Sequence, residues 1–325
     1  MTLEIYEKRD REDMDFFFKL GFWAMKTHRR AMFEQIMRDH PDATDDEAFE
    51  IHKREATEYM DFSKPEVRIF VASEGGQRCG YLWIAPRNSE DMWDLEQPQW
   101  IYDIVVDPQF QGQGIGQQLM KVGEEYAKSL PSNVGLFVHS DNEPAISLYK
   151  KMQYSVKAVP VSKKVVDAES SEGGSFIIRE IEGLPQFLRD LEYDRFRKMV
   201  LFSANAEEEE VRERFERHLG RSEKVPGKYR RFAAFTNQDQ FLGAVWVGPS
   251  GFHDDVAQIH SFVLGESKSG QEPDRFLVHR TEIWTKSAGF STLYILLHSE
   301  DDLEIETLQS MGYSVPGFFM EKRLR

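Results

Sequence analysis

The chain has 325 residues, 40% of them hydrophobic, which is enough for two domains of about 150 residues, each with its own core. A formal net charge of −15 repels nucleic-acid phosphates and anionic lipid, so the sequence argues against nucleic-acid and membrane binding and allows a cationic partner. The single cysteine, Cys79, leaves no internal disulfide and no cysteine cluster for a metal, and the first residues contain no apolar signal-peptide segment. We therefore expect a cytoplasmic protein.

The first half of the chain alternates between strand and helix patterns. The predicted elements, in order, are a strand at 3–7, helices at 13–32 and 45–59, strands at 67–73, 80–85 and 100–106, a helix ending at 128, a strand at 135–138, a helix at 143–152 and a final pair of strands ending at 165. Gly75-Gly76 predicts a hairpin between two of these strands. The mixture indicates an α/β (α+β) fold in which the first strands are antiparallel.

The second half of the chain repeats the first. Residues 152–165 align without a gap with residues 311–324, an offset of 311 − 152 = 159, and residues 137–141 align with 296–300 at the same offset. Helix starts recur as well, because Thr44 and Asn205 are each followed three residues later by a glutamate, as in a capping box. A period this long indicates two copies of one domain.

A polar segment separates the two copies. Residues 167–175 contain serine, glycine and acidic residues, a composition typical of a linker. We therefore predict a domain at 1–166, a linker at 167–175 and a second domain at 176–325.

Three glycines, Gly112, Gly114 and Gly116, lie between the strand at 100–106 and the helix ending at 128. The N-terminus of a helix presents unpaired amides and a positive dipole, so this loop can hold a phosphate without a lysine. The spacing is neither that of a dinucleotide-binding fingerprint nor that of a nucleoside-triphosphate loop. From the residues alone, a phosphate site and a tight strand-to-helix connection both stay open.

The loop resembles the signature of the GNAT superfamily of acyl-CoA-dependent N-acyltransferases, Gln/Arg-x-x-Gly-x-Gly/Ala, with Gln111, Gly114 and Gly116 in place. The segments IYDIVVDPQFQGQGIGQQL and VHSDNEPAISLYKKMQYSV resemble the family's strands and helices on either side. The resemblance implies two tandem domains, each a mixed, mostly antiparallel twisted sheet flanked by helices. It also implies acetyl-CoA as the co-substrate, a small amine as the acceptor and no metal.

The resemblance also assigns roles to residues of the first copy. It implies a bulge in the strand at 100–106, beside which the co-substrate lies against the backbone, and Tyr149 as the acid that protonates the departing thiolate. The implied cofactor-binding residues are Ile104, Val105, Val106, Gln111, Gly112, Gln113, Gly114, Ile115, Gly116, Asn142 and Tyr149.

The sequence leaves the identity of the general base open. Some members of the family have a glutamate where Tyr102 stands, so the neighbouring Asp103 is our candidate, with His139 and a water relay as alternatives. Strand alternation by itself places Tyr102 and Asp103 on opposite faces, unless the bulge turns one of them. Cys79 has no histidine and aspartate arranged around it in the sequence, so we expect direct transfer without a covalent enzyme intermediate.

The second copy lacks the motif. Residues 263–274 contain three carboxylates and no paired glycines, and the offset puts Asp301 at the position of Asn142 and Leu308 at that of Tyr149. We therefore expect the N-terminal copy to be the active one, in a monomer that is an internal pseudo-dimer or in a homodimer. The alternative is a non-enzymatic, CoA-responsive binding protein.

The loop at 88–97 is our candidate for the acceptor side. It places Trp93 among four carboxylates, a combination that suits a cationic amine and that also occurs in a solvated loop with one anchoring tryptophan.

Overall fold

A computed structural model describes residues 2–87, 99–130, 133–165, 176–199, 207–224, 227–251, 254–265 and 272–324. Within these ranges the chain forms two compact units. Unit 1 contains residues 2–87, 99–130, 133–137 and 321–324. Unit 2 contains the described residues between 138 and 320. The predicted linker at 167–175 and the loop around Trp93 lie outside the described residues.

Unit 1 is a five-stranded sheet with helices on both faces. Its elements are β1 (Leu3–Glu7), α1 (Arg11–His28), α2 (Arg30–Asp39), α3 (Asp45–Tyr59), β2 (Arg68–Glu74), β3 (Gln77–Pro86), β4 (Gln99–Val106), a 3₁₀ turn (Pro108–Phe110), α4 (Ile115–Lys128) and β5 (Val134–His139), of which the last two residues belong to unit 2. The strand order is β1-β2-β3-β4-β5; the first three pairings are antiparallel and the last is parallel. The predicted mixed α/β fold is confirmed.

Local sequence signals explain several of these elements. Gly75 and Gly76, at φ +58° and +85°, join β2 to β3 in the predicted hairpin, in which Glu74 pairs with Gln77. Helix α3 begins with the predicted capping box, in which Thr44 and Glu47 satisfy each other's backbone amides. Both turns and caps of this kind are set by residues close together in the chain.

The single helix predicted at 13–32 is wrong. The structure has two helices, because Arg29 adopts φ −119° and ψ 48°, which is not helical. No proline or glycine marks this break; instead, the side chain of Arg29 forms an ion pair with a distant residue of β4.

Unit 2 contains the rest of the secondary structure. Its elements are α5 (Glu143–Lys151), β6 (Ser155–Lys164), β7 (Phe176–Glu180), α6 (Gln186–Met199), α7 (Glu208–Lys224), β8 (Arg230–Thr236), β9 (Phe241–Pro249), β10 (Val256–Leu264), α8 (Glu272–Ser287), β11 (Thr292–His298), α9 (Asp302–Ser310) and β12 (Gly317–Lys322), whose last two residues belong to unit 1. The strand order is β12-β6-β11-β10-β9-β8-β7.

The predicted strand pair ending at residue 165 is also wrong, because residues 155–164 form one strand. Strand β6 pairs antiparallel with β11 from Ala158 to Lys164, and Pro160 lies within this run opposite Leu296. This pairing joins residues of the first sequence copy to the core of the second, so the compact units do not follow the sequence copies. The domain limits read from the repeat concern the two copies and stay a prediction.

Two hydrophobic layers cover the sheet of unit 1. Val71, Tyr81 and Trp83 pack with Phe17 of α1 on one face, and Leu82 contacts α4 on the other, where a Cβ at Gly123 would lie 3.2 Å from its side chain. Helix α4 therefore covers one face of β4, and helix α1 covers the other face. No helix among the described residues has the length and apolar character needed to cross a membrane.

Candidate functional site

A bulge interrupts β4, as the family resemblance implies. Trp83 of β3 lies opposite Asp103, and the next residue, Ile84, lies opposite Ile101, so Tyr102 is the extra residue. On the other side, the parallel ladder with β5 ends at Ile101, although β4 continues to Val106. The two strands therefore stop pairing at the bulge, which leaves an opening along the last residues of β4.

The register determines which backbone groups of β4 face this opening. Asp107 donates its N–H to Cys79 O at 2.9 Å, and hydrogen-bonded positions alternate along an antiparallel pair. By this alternation Val105 pairs with β3, whereas Ile104 and Val106 turn their backbone groups towards the opening. Gln111 Nε2 donates to Val106 O at 3.1 Å, which confirms the direction of that carbonyl. Of the three predicted backbone contacts, Ile104 and Val106 have the suitable direction.

The glycine loop follows this strand and leads into α4. Gly112 and Gly114 have φ +78° and +80°, a region that glycine adopts at little cost, and a Cβ on either would meet no protein atom within 4 Å. These glycines are therefore needed for their backbone angles, and the space in front of them is open. Gly116 lies inside the first turn of α4.

The N-terminus of α4 has no side-chain cap. Gly114 is the N-cap residue, and its carbonyl accepts the first helical hydrogen bond from Gln118 N at 3.1 Å. The amides of Ile115, Gly116 and Gln117 thus have no acceptor within the helix. Together with the dipole of α4 they form a site that fits an anionic group such as a diphosphate.

A buried polar network lies on the α1 face of the bulge. Asp103 Oδ2 accepts hydrogen bonds from Tyr81 Oη at 2.6 Å and from Arg29 Nη2 at 2.8 Å. The side chains of Arg29 and Asp103 are 24% and 15% exposed, so this ion pair is shielded from water. The carboxylate of Asp103 raises the pKa of Arg29, and burial raises the pKa of Tyr81 well above its ordinary value.

His52 of α3 belongs to the same surroundings. Burial, and then the positive charge of Arg29, lower the pKa of His52 from 6.5, so its imidazole is neutral at neutral pH. Its ring packs against Phe22 at a centroid distance of 5.8 Å. The bulge also brings Tyr102 to this face, where its ring stacks on Trp83 at 4.8 Å. Tyr102 and Asp103 therefore share a face, contrary to simple alternation.

The other predicted residues belong to unit 2. Tyr149 of α5 is 6% exposed, and its ring lies 5.9 Å from that of Tyr154. Asn142 is the N-cap of α5, where its Oδ1 accepts from Ala145 N at 3.2 Å, so the amide nitrogen is the part left for a ligand. The alternative base His139 ends β5 and accepts at its carbonyl from Asn142 N.

The bulge recurs in the second copy. Trp246 of β9 lies opposite Ser261, Val247 lies opposite Ile259, and His260 is the extra residue. Here the ladder between β10 and β11 ends at Ile259. The glycine-loop position at 266–271 lies outside the described residues, and Leu308, at the position of Tyr149, is buried in the apolar core.

Sequence reasoning missed Arg29, Tyr81 and His52. They come from α1, β3 and α3, and nothing in their spacing indicates that they meet at Asp103. A signal was present only for Asp103, which is a carboxylate within an otherwise apolar strand.

Comparisons with known proteins find acetyltransferases. Residues 29–154 match the model of the acetyltransferase (GNAT) family. A mycothiol acetyltransferase of Actinosynnema mirum is 30% identical over 118 residues, which are 36% of this chain and 36% of that protein. An uncharacterized N-acetyltransferase of Methanocaldococcus jannaschii is 31% identical over 102 residues, which are 30% of this chain and 42% of that protein. The matches thus span well under half the length of these relatives.

Among solved structures, a GCN5-related N-acetyltransferase from Sphaerobacter thermophilus matches 99% of this chain and 96% of its own, with a TM-score of 0.53 and 14% identity. At this identity the likeness concerns the fold alone.

Proposed function

Since residues 29–154 of this chain match the model of the acetyltransferase (GNAT) family, we propose that the protein transfers an acetyl group from acetyl-CoA to a primary amine, with the N-terminal copy as the active one. One observation carries the proposal. In unit 1, the opening beside the bulged strand β4 and the uncapped N-terminus of α4 are joined by a loop of eight residues, 107–114. The chain thus offers backbone donors for the two ends of a long co-substrate.

The residues of this loop fit a diphosphate. The amides at the start of α4, freed by the φ values of Gly112 and Gly114, would hold the charged groups, with Gln111, Gln113 and Ile115 completing the loop. This arrangement needs no lysine, which suits a protein of net charge −15. The backbone of Ile104 and Val106 would contact the pantetheine arm, and one of these amides would polarise the thioester carbonyl.

The chemistry requires one bond to form and one to break. The amine nitrogen attacks the thioester carbon, the carbon–sulfur bond breaks, and the thiolate takes a proton. We assign that proton to the phenol of Tyr149 on its match to the family motif, with the amide nitrogen of Asn142 as a further contact to the co-substrate. A phenol suits this role because it is protonated at neutral pH.

The attacking amine must also lose a proton. Asp103 is our candidate base, but its Oδ2 already accepts hydrogen bonds from Arg29 and Tyr81. Proton uptake at this atom would compete with both hydrogen-bond donors. A positioning role for Asp103 is therefore the main alternative to its role as the general base. Transfer to water avoids this competition, and His139 is the other candidate base.

Thiol release tests the proposal. The protein is incubated with acetyl-CoA and a pool of small amines, and free thiol is measured with a chromogenic disulfide. We expect thiol release that depends on the amine, and Tyr149→Phe should lower turnover much more than co-substrate affinity measured by calorimetry. Tyr154→Phe, which alters the neighbouring ring, is the matched control.

The outcomes separate the two functions. Tight co-substrate binding without thiol release from any amine would favour the non-enzymatic CoA-responsive protein. Unchanged turnover in Tyr149→Phe would remove Tyr149 from the mechanism, and absence of co-substrate binding would overturn the proposal as a whole.

A further inference from the structure

The turn between β5 and α5 lies in unit 2, together with residues 311–320 of the second copy. It covers residues 139–142, and Asn142 N closes it by donating to His139 O at 3.1 Å. Asn142 is also the N-cap of α5, whose first helical hydrogen bond runs from Ile146 N to Asn142 O at 3.0 Å. The conformation of this turn therefore sets where α5 begins and how it is directed.

Ser140, inside this turn, is bound to the second copy through two atoms. Its N–H donates to Pro316 O at 3.1 Å, and its hydroxyl donates to Val315 O at 2.7 Å. The segment that provides both carbonyls is itself fixed, because Ser314 N donates to Ser162 O at 2.9 Å and Ser162 N donates to Ser314 O at 3.0 Å. The turn is thus attached to a backbone that is paired with β6.

The second copy has the same turn, bound in the reciprocal way. Ser299 is the counterpart of Ser140 at the offset of 159, and Asp301 N closes its turn on His298 O at 3.1 Å. Ser299 N donates to Lys157 O at 3.0 Å, and Lys157 is the counterpart of Pro316 at the same offset, 316 − 157 = 159. Each turn is therefore bound by the C-terminal segment of the other copy.

The two turns lead to helices of different composition. The first leads to α5, which contains Tyr149 seven residues after Asn142, 149 − 142 = 7, and these are the two residues of unit 2 to which the proposed function assigns a role. The second leads to α9, in which Leu308 stands at the position of Tyr149 and is buried in the apolar core. The turn at 139–142 is therefore the one that bears on the proposed chemistry.

The turn depends on hydrogen bonds rather than on burial. Ser140, Asp141 and Asn142 are all exposed, so the two bonds to Val315 and Pro316 are what fixes their backbone. Precision matters at a proton donor, because a displacement of about 1 Å can lower the rate of a reaction about a hundredfold. An anchor at the start of α5 is therefore placed where it can affect turnover.

We propose that Ser140 is a positioning residue, through which the second copy fixes Asn142 and Tyr149 for acetyl transfer. This proposal rests on the proposed function and gives the second copy a part in it. The second copy contributes the carbonyls of Val315 and Pro316, which orient the turn, and the turn orients the helix that contains the proton donor.

Turnover tests this role, and the full chain can be used because Ser140 is exposed and its replacement should leave the fold intact. Ser140→Ala should lower kcat of amine-dependent thiol release about fivefold, the effect of one lost neutral hydrogen bond, while the urea midpoint and the KM for the amine change little. Ser140→Thr keeps the hydroxyl and should restore kcat. Ser299→Ala, the matched control, should leave kcat unchanged, because its turn leads to Leu308.

Amide exchange measures the anchor without any reaction. Hydrogen exchange of the peptide covering residues 138–142 is followed by mass spectrometry, and the peptide covering residues 297–301 serves as the internal reference. We expect Ser140→Ala to speed the exchange of the first peptide about fivefold and to leave the second unchanged. This measurement needs neither co-substrate nor amine, so it is independent of the proposed function.

Three kinetic results would overturn the proposal: an unchanged kcat in Ser140→Ala, equal losses in Ser140→Ala and Ser299→Ala, or no recovery in Ser140→Thr. Unchanged exchange in Ser140→Ala would overturn the anchor itself. Absence of thiol release from the wild-type protein would overturn the proposed function instead, whereas the exchange measurement would still decide whether the anchor exists.

Discussion

Arg29 Nη2 lies 2.8 Å from Asp103 Oδ2, so the break between α1 and α2 is fixed to the bulge of β4 by a shielded ion pair. This relationship ties the geometry of the proposed acetyl-transfer site to a residue 74 positions earlier in the chain. The same oxygen accepts from Tyr81, so three elements of unit 1 meet at one carboxylate.

Removal of the carboxylate charge should destabilise the protein. In Asp103→Asn the guanidinium of Arg29 stays shielded without an anion, and we expect the free energy of unfolding to fall by about 3 kcal/mol, measured by urea denaturation. The matched control is Glu4→Gln, which breaks the exposed pair with Arg9 and should leave stability nearly unchanged. Equal effects in the two variants would show that the Arg29 pair contributes no more than a surface pair.

A double variant separates the structural role of Asp103 from a catalytic one. Arg29→Met with Asp103→Leu replaces both charges by apolar side chains and should recover most of the stability lost in Asp103→Asn. If Asp103 only balances the charge of Arg29, amine-dependent thiol release should recover as well. Recovered stability without recovered turnover would show that turnover requires the carboxylate itself.

Gly21 should tolerate no side chain, although it lies within a helix. A Cβ at this position would lie 2.8 Å from Tyr81 Oη, the atom that donates to Asp103. Gly21→Ala should therefore lower the melting temperature, against the usual gain of about 1 kcal/mol from alanine in a helix. Gly220→Ala, in α7 with no atom within 4 Å, should show that gain, and Tyr81→Phe should lessen the effect of Gly21→Ala. A stabilised Gly21→Ala would contradict the close approach.

The role of the loop glycines in co-substrate binding can be tested by comparing Gly114 with Gly76, which has a similar φ. Gly114→Ala forces an L-residue to φ +80°, at a cost of about 1–2 kcal/mol, and should weaken acetyl-CoA binding about tenfold as the amides of α4 reorient. Gly76→Ala, at φ +85° in the hairpin, carries the same strain with similar open space. Calorimetry should show weaker binding for Gly114→Ala alone; equal binding in the two variants would remove the loop from the co-substrate site.

The lowered pKa of His52 makes stability depend on pH. The folded state disfavours protonation of His52, whereas the unfolded chain protonates it near pH 6.5, so the unfolded state binds more protons below that pH. The contribution to stability is thus present above pH 6.5 and is lost as the pH falls through the folded value. His52→Leu should flatten the fall in the free energy of unfolding between pH 7 and 5.

His298 has to be considered in the same experiment. Its pKa is also lowered, mainly by burial, so it adds to the same trend, and the double variant of His52 and His298 should be flatter than either single variant. An unchanged slope in His52→Leu would contradict the burial of its imidazole.

Cys79 should be unreactive in the folded protein. Burial raises the pKa of its thiol to about 11, and the side chain is 0% exposed. Iodoacetamide at pH 7.5 should therefore modify it only in urea, and Cys79→Ala should keep any amine-dependent thiol release. Rapid modification in buffer, or loss of turnover in Cys79→Ala, would reopen a role for this thiol.

The sequence by itself determined several local elements and indicated a family resemblance. The hairpin at Gly75-Gly76, the capping box at Thr44 and the positive φ values of Gly112 and Gly114 follow from residues close together in the chain, because glycine and capping side chains act on their own backbone. The glycine-loop motif, together with the segments on either side of it, indicated the acetyltransferase resemblance.

Only the tertiary structure decided which distant residues meet. The break at Arg29 has no local signal, because its partner Asp103 lies on β4, and strand β6 joins the core of unit 2 through its ladder with β11. The bulges at Tyr102 and His260 are also products of strand pairing, since an extra residue exists only relative to a partner strand. Ion pairs, ladders and bulges depend on contacts between remote segments, and no short stretch of sequence specifies them.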